Sequence, residues 1–313
     1  MSAFDAYIRL EGSLDGSIVC DEPMSRHTTY RIGGPASLFI ECASVADLSL
    51  ALDILAEEEV PWTIVGKGSN LLVSDEGYKG AIIVLGGEFT QIDMGSAAGE
   101  EPLERGTTVC VTAGAAAPLP MLVQSAFKCS LSGLEFAVGT PGTVGGALVM
   151  NAGSSKEWMS GVVESVTTYK PGTGLHILHA DEIEWGYRSS GLLGGEIVLE
   201  CVLRLKAADR MMVQADMEAR LKRRKANQPL NLPSCGSVFK NPPGEQASLL
   251  IAACGLKGTA CGDAQISETH ANFIVNNGHA TASQVAQLIR TARDKVEEVY
   301  GVGLETEVKF LGF

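Results

Sequence analysis

The sequence has no pair of cysteines two residues apart and no Cys/His spacing of the kind that ligates zinc. Eight cysteines are nevertheless present, at positions 20, 42, 110, 129, 201, 235, 254 and 261. No metal site is expected from them. No run approaches the roughly 18 continuous apolar residues of a membrane span. The start, MSAFDAYIRLEGSLDG, is acidic and lacks the apolar core of a secretion signal. Positive charge is scarce: 24 Lys and Arg stand against 37 Asp and Glu, a net charge of −13. That balance excludes a general nucleic-acid binder, which needs cations to neutralise phosphates. No internal repeat or low-complexity tract occurs. Cysteines in apolar runs, Cys110 in VCVTAG and Cys201 in LECVLRL, read as small buried hydrophobes of a reducing compartment. These absences predict a cytoplasmic globular chain with no nucleic-acid or membrane partner.

What is present points to two lobes. At 313 residues the chain can bury a sizeable core in about two domains. Ser44 is a candidate N-cap for a helix carrying Val45, Leu48, Leu52 and Leu55 on one stripe. Strands are expected at 62–66, 71–74, 81–85, 107–113, 162–169 and 196–205 from their β-branched, Gly-bounded runs. A helix is expected over 118–128, and another over the charged stretch 209–227, stopped by Gln228-Pro229. Thr281 to Gln284 forms a capping-box pattern ahead of Val285, Leu288, Ile289, Ala292, Val296 and Val299 at helical spacing. The last residues, LETEVKFLGF, alternate like a strand. The reading is α+β: a first lobe over 1–208 with an internal split near 88–105, a second domain over 209–300, and a C-terminal strand over 301–313.

Glycine is abundant, with 36 residues, and is concentrated in two loops. Gly66-Lys67-Gly68-Ser69-Asn70 joins two strands. It lacks the third glycine and following helix of a dinucleotide fingerprint. Successive small residues can still aim several backbone N–H groups at an anion. Taken alone, this loop reads more readily as an ordinary tight turn, because Gly is common in connections. The second region, Gly139-Thr140-Pro141-Gly142-Thr143-Val144-Gly145-Gly146 followed by Asn151-Ala152-Gly153, adds many more donors with no side chain in the way. Two such loops suit a long cofactor with a pyrophosphate, such as a flavin dinucleotide.

With these loops, Thr29-Tyr30-Arg31-Ile32-Gly33-Gly34, Tyr187-Arg188, SCGSVFKNP (234–242), SETHANFIVN (267–276) and LETEVKFLG (304–312) occur in order. In that order the sequence resembles the UDP-N-acetylenolpyruvoylglucosamine reductases over about residues 25–313. The resemblance implies an FAD-binding lobe of the vanillyl-alcohol oxidase/p-cresol methylhydroxylase type and a smaller α+β substrate-binding domain. It implies NADPH-dependent reduction of UDP-N-acetylglucosamine enolpyruvate to UDP-N-acetylmuramate through FAD, in peptidoglycan precursor synthesis. It places Arg31, Gly66 to Asn70, Gly139, Thr140, Pro141, Thr143, Gly145, Gly146 and Asn151 to Gly153 against FAD. No His or Cys stands at a covalent attachment position, so FAD is expected to be non-covalent. The short RSSGLLGGE connection after Tyr187 matches the shorter family form, which lacks an inserted substrate-covering loop.

The implied chemistry asks for a polarised substrate carboxylate and a proton for the carbanionic carbon. Carried over from the matched blocks, Ser237 is the proton donor, Arg188 the carboxylate ligand and Glu307 its acidic partner. Without the resemblance, each reads as a turn serine, a surface arginine and a solvent-facing strand residue. Arg220, Lys222, Arg223, Arg224 and Lys225 form a basic cluster that suits either a diphosphate or a helix C-terminus. The resemblance selects Lys225 for the diphosphate, and Tyr187, Lys240, Asn241 and His270 to line the same cleft. Cys235, beside the proposed acid, either fills space or sensitises the site to oxidation. The rival readings are a flavin oxidase of the same fold and a non-catalytic nucleotide-binding module.

Overall fold

A computed structural model describes residues 2–99, 103–154, 157–193 and 195–313. Residues 100–102, within the expected 88–105 split, and Gly194, within RSSGLLGGE, lie outside the described residues. Contacts divide the chain into two compact units. The first takes residues Met1–Val19, Phe39–Gly66 and Ile82–Arg223; the second takes Cys20–Leu38, Lys67–Ala81 and Arg224–Phe313. The chain crosses between units inside three strands, β1 (Ser17–Pro23), β2 (Pro35–Cys42) and β5 (Tyr78–Leu85). These belong to a four-stranded sheet ordered β1-β2-β5-β3, with β3 at Trp62–Ile64. A linear reading of composition puts one boundary near residue 208. The second unit instead also collects two early segments, and the later break falls inside helix α5 (Arg210–Asn227).

The first unit is built on a sheet of β6 (Ile92–Asp93), β7 (Thr108–Gly114), β11 (Val163–Lys170), β12 (Gly174–His179) and β15 (Ile197–Ala207), in the order β12-β11-β15-β7-β6. A short strand, β8 (Leu131–Ser132), pairs with β15 off that path. Strand β7 shows the period of two that fixes which residues are inside. Val109, Val111 and Ala113 are buried in the core, whereas Cys110 between them is exposed. The expectation that Cys110 is buried therefore fails on strand periodicity, while Cys201 on β15 is buried. Helix α2 (Val45–Glu57) starts at Ser44, whose side chain accepts from the Asp47 amide, and buries Leu48, Ala51, Leu52, Ile54 and Leu55. Helix α3 (Leu119–Lys128) follows Pro118 and covers the same core with Leu119, Leu122, Val123 and Ala126.

The second unit packs helices α6 (Ala247–Ala253) and α7 (Ala282–Tyr300) around a core containing Tyr30, Leu72, Phe239, Ile251, Val285, Ile289 and Val308. Helix α7 opens on the expected Thr281/Gln284 capping box and closes on Gly301 in the left-handed conformation. Its first amides, Ala282 and Ser283, donate to the Asp75 carboxylate at 2.7 and 2.9 Å. A three-stranded antiparallel sheet of β16 (Ala260–Cys261), β17 (Ala264–Ile266) and β18 (Ile274–Asn276) lies in the same unit. The C-terminal strand, β19, is only Lys309–Leu311 and pairs in parallel with β4 (Leu71–Val73). Glu307 thus precedes the strand instead of lying within it. The expected alternation is cut short because Glu307 and Val308 donate their amides to the Val238 carbonyl.

Candidate active site

Gly66, the first residue of the first glycine loop, meets the second loop within the first unit. A Cβ on Gly66 would lie 2.5 Å from Thr143 Oγ1, so only glycine lets the loops approach this closely. Thr143 caps the short helix α4 (Val144–Val149), its hydroxyl accepting from the Gly146 amide at 3.2 Å. The Val144 and Gly145 amides donate to Ala117 and Ala115 carbonyls, both at 2.9 Å. The second loop therefore spends the amides of Val144, Gly145 and Gly146 on the protein. The expectation that they are ligand donors is corrected by this capping; what Gly146 presents is an exposed surface without a side chain.

The first loop behaves differently. Among the described residues, the amides of Lys67, Gly68 and Ser69 donate to no protein acceptor. Gly68 has φ +57°, and a Cβ there would lie 2.2 Å from the His27 carbonyl oxygen. Its carbonyl accepts from the Thr29 amide at 3.2 Å, and Thr29 Oγ1 donates onward to the Ser234 carbonyl at 2.7 Å. Thr29 thus fastens the glycine loop to the SCGS block within the second unit. Beside it Thr28 closes a tight turn on Ile32, Oγ1 donating to the Ile32 carbonyl at 2.8 Å. That turn sets the exposed Arg31 at φ 56°, in the left-handed region. Three successive amides free of protein acceptors fit an anion such as the pyrophosphate of FAD.

Asn151 and Arg188 are also non-glycine residues in the left-handed region, with φ 39° and 56°. Such conformations are uncommon and persist where surrounding bonds impose them. Buried Asn151 donates from Nδ2 to the Gly186 carbonyl at 3.0 Å and accepts the Ser160 amide at 3.1 Å. Gly186 belongs to a two-residue hairpin of β13 (Trp185–Gly186) and β14 (Ser189–Ser190), with Tyr187-Arg188 at its tip. The Arg188 Nη1 donates to the Gly153 carbonyl at 3.2 Å. Its Cζ lies 5.4 Å from the Tyr187 ring centre and 5.6 Å from that of Trp158. The proposed carboxylate ligand and the Asn151–Gly153 segment are therefore one bonded structure.

In the second unit the proposed acid and its partner are neighbours. Ser237, half-buried, follows Gly236 at φ 81° and precedes Val238. The Val238 carbonyl accepts the Glu307 amide at 2.8 Å. Buried Asn272 fixes the next peptide on both sides: Oδ1 accepts the Phe239 amide at 2.9 Å and Nδ2 donates to the Phe239 carbonyl at 2.8 Å. Asn70 Nδ2 donates to the Glu307 carbonyl at 3.0 Å. Lys240 pairs with Glu305 at 2.6 Å. Ser237, Lys240, Glu307 and Asn70 are thus gathered by main-chain pairing across three sequence blocks.

Other expected residues are less engaged. Asn241 Oδ1 accepts the Ala247 amide at 3.1 Å, ahead of α6. His270 stacks edge-on against Phe273 at 4.9 Å, and burial, reinforced by Lys257, lowers its pKa. Lys225 is exposed on α5. Arg220 of the same basic cluster pairs with Glu157 at 2.6 Å and Asp216 at 2.9 Å. Cys235 is buried, and burial pushes its thiol up to about 12. A buried, protonated thiol favours a space-filling role for Cys235 over a redox-sensitive one. Sequence reasoning missed Thr29, Trp158 and Asn272 as organisers of the site. Trp158 is one of three tryptophans and follows a predicted glycine loop, a weak signal; nothing marks Asn272 beyond the block containing it.

A family profile described as UDP-N-acetylenolpyruvoylglucosamine reductase, C-terminal domain, matches residues 228–311, and one described as FAD binding domain matches 36–176. UDP-N-acetylenolpyruvoylglucosamine reductase 2 of Symbiobacterium thermophilum is 47% identical over 298 residues, covering 95% of this chain and 93% of that protein. The reductase of Syntrophotalea carbinolica is 40% identical over 305 residues, 97% of each chain. The crystal structure of the Thermus caldophilus reductase matches with a TM-score of 0.79 at 36% identity, covering 95% of this chain and 99% of that one. Physcomitrella patens BBE-like 1, at 11% identity and a TM-score of 0.54 over 95% of this chain and 89% of that one, shares the fold alone. The fold is the α+β flavoprotein fold of the vanillyl-alcohol oxidase/p-cresol methylhydroxylase type. The chain belongs to the UDP-N-acetylenolpyruvoylglucosamine reductase family.

Proposed function

We propose that the protein reduces UDP-N-acetylglucosamine enolpyruvate to UDP-N-acetylmuramate with NADPH, using non-covalent FAD. The observation that carries the reading is the hydrogen bond from the Glu307 amide to the Val238 carbonyl, 2.8 Å, which makes Glu307 and Ser237 neighbours from distant blocks. Residues 1–208 supply most of the FAD site and 209–300 most of the substrate site, with 301–313 adding Glu307. The amides of Lys67 to Ser69 would hold the FAD pyrophosphate, with Arg31 as a cation of the same unit, and Gly66, Gly139 and Gly146 would each offer the cofactor a surface without a side chain. When bound, FAD would supply the two-electron chemistry between NADPH and the enolpyruvyl carbon β to the carboxylate.

The protein's own work is positioning and proton delivery. Arg188 offers its planar fork to the substrate carboxylate as negative charge spreads onto it. Ser237 Oγ–H gives its proton to the carbon α to the carboxylate, and Glu307 holds the carboxyl end in place. Tyr187, Lys225, Lys240, Asn241 and His270 line the sugar-nucleotide path, with Lys225 on the diphosphate. The reading carries a cytoplasmic location and small-molecule partners only; among the described residues no helix is long and apolar enough to cross a membrane.

The test is a visible spectrum of the purified holoprotein under anaerobic conditions. Flavin absorbance should bleach with NADPH and return on adding UDP-N-acetylglucosamine enolpyruvate. A flavin reoxidised only by air would support the oxidase reading, and protein colourless after FAD addition would overturn the proposal.

A further inference from the structure

We infer that Trp158 is a positioning residue for Arg188, holding the guanidinium in an aromatic corner so that its fork faces the substrate carboxylate. The inference rests on the reading of Arg188 given above. The Trp158 and Tyr187 rings meet edge to face, with centres 5.8 Å apart and planes at 88°. The Arg188 Cζ lies within 6 Å of both centres, the range in which a cation is attracted by the ring quadrupole. Two faces of the guanidinium's surroundings are thereby apolar and fixed, and its Nη1 is held by the Gly153 carbonyl at 3.2 Å.

The ring and that carbonyl belong to one structural unit. Strand β9 (Gly153–Ser154) pairs with β10 (Glu157–Trp158) in a register that sets Trp158 opposite Gly153. The residue whose ring contacts Arg188 is therefore the β-partner of the residue whose carbonyl binds it. This unit is anchored on both sides. Glu157 pairs with Arg220 at 2.6 Å, the Met159 amide donates to the Ala152 carbonyl at 2.9 Å, and the Ser160 amide donates to Asn151 Oδ1. Asn151 in turn grips the Arg188 hairpin through Gly186. Arg188 itself sits at φ 56°, a conformation that needs such external support. An aliphatic residue at 158 would fill the same space and lack the quadrupole.

The experiment compares Trp158→Leu and Trp158→Phe holoenzymes in steady state and in the separate NADPH half-reaction. Trp158→Leu should lower kcat about tenfold while KM for the sugar nucleotide and the bleaching rate with NADPH stay within about twofold, and Trp158→Phe should recover kcat to within about threefold. Combined with Arg188→Gln, Trp158→Leu should add little further loss, because the cation it would position is already gone. FAD content and thermal midpoint verify that each variant is folded; if Trp158→Leu is not, Trp158→Met replaces it. Unchanged kcat in the aliphatic variant, equal losses in the aliphatic and Phe variants, or additive losses with Arg188→Gln would each overturn the inference. Wild-type enzyme that bleaches with NADPH but never turns over the enolpyruvyl substrate would instead overturn the proposed function.

Discussion

Asn70 Nδ2 donates to the Glu307 carbonyl at 3.0 Å, so a residue of the first glycine loop helps hold the backbone of the proposed acidic partner. The Asn70 carbonyl also accepts the Lys309 amide at 3.0 Å, where β19 joins β4. Asn70 is therefore a splint for the C-terminal segment as well as part of the first glycine loop. Asn70→Ala should lower kcat about tenfold, the range for losing one hydrogen bond that positions a reacting group. Comparing turnover with the NADPH half-reaction checks this: a loss confined to the half-reaction would assign Asn70 to FAD alone.

Removing the proposed proton donor should stop one half of the cycle. Ser237→Ala is expected to lower kcat about 10²- to 10⁴-fold, the usual contribution of a positioned acid. Bleaching by NADPH should be unaffected. Glu307→Gln keeps the amide bond to Val238 and removes only charge, so its loss should be the smaller of the two. Single-turnover reoxidation of NADPH-reduced enzyme by the sugar nucleotide measures both. Unchanged reoxidation in both variants would remove Ser237 and Glu307 from the reaction, and no reoxidation even in the wild type would favour a binding module over an enzyme.

Much of this site is legible in the sequence, and the limits have physical causes. Helix caps at Ser44 and Thr281 are read correctly because a capping side chain bonds its own next turn, a local event. Ser237 and Glu307 are recognised as blocks, but their adjacency depends on a main-chain bond spanning many residues, which no periodicity reports. The glycine loops are found from composition, while their division of labour is not. Whether an amide is spent on a cap or left for a ligand depends on Thr143 and on Ala115 and Ala117, which are brought near by folding. Cys110 and Cys201 look alike in sequence, and only strand phase separates the exposed thiol from the buried one.

Gly66 offers a steric test. A Gly66→Ala methyl would meet Thr143 Oγ1 at 2.5 Å, and moving that hydroxyl sacrifices its bond to the Gly146 amide. The variant should lose about 1–2 kcal/mol of stability, comparable to removing a helix cap, and should retain FAD poorly. Thr143→Ser keeps the cap. FAD content after gel filtration and thermal midpoints decide the matter; a Gly66→Ala protein with full flavin and unchanged midpoint would show that the loops have room to spare.

Asp75 caps α7 with two main-chain amides and the Ser283 hydroxyl, the last at 2.6 Å. Burial alone would raise its pKa, but the donors from Ser283 and Ala282 outweigh it and hold the carboxyl below the usual range. A depressed carboxylate pKa gives stability present above the unfolded value, near 3.9, and lost as pH falls through the folded one. Asp75→Ala should destabilise by about 1 kcal/mol at neutral pH. The difference from wild type should shrink below about pH 4 as the carboxylate is protonated, which denaturant titrations at two pH values can check. A difference that stays constant would mean that packing, not charge, links Asp75 to the helix.

Three buried thiols make a prediction at the alkaline end. Burial pushes Cys42, Cys201 and Cys235 each up to about 12, whereas an unfolded thiol titrates near about 8.5. Between those values the unfolded chain releases protons that the folded chain keeps, so stability declines as pH rises above about 8.5. Each thiol contributes at most about 1.4 kcal/mol per pH unit. Replacing any one with alanine should flatten the slope by about one proton, read from unfolding free energies between about pH 8.5 and 10.5. The same protonated state implies that peroxide at neutral pH inactivates wild type and Cys235→Ala at equal rates. Faster loss in wild type would mean that the Cys235 thiol opens to solvent in the working enzyme, and that the pocket beside Ser237 is looser than its packing against Tyr30 indicates.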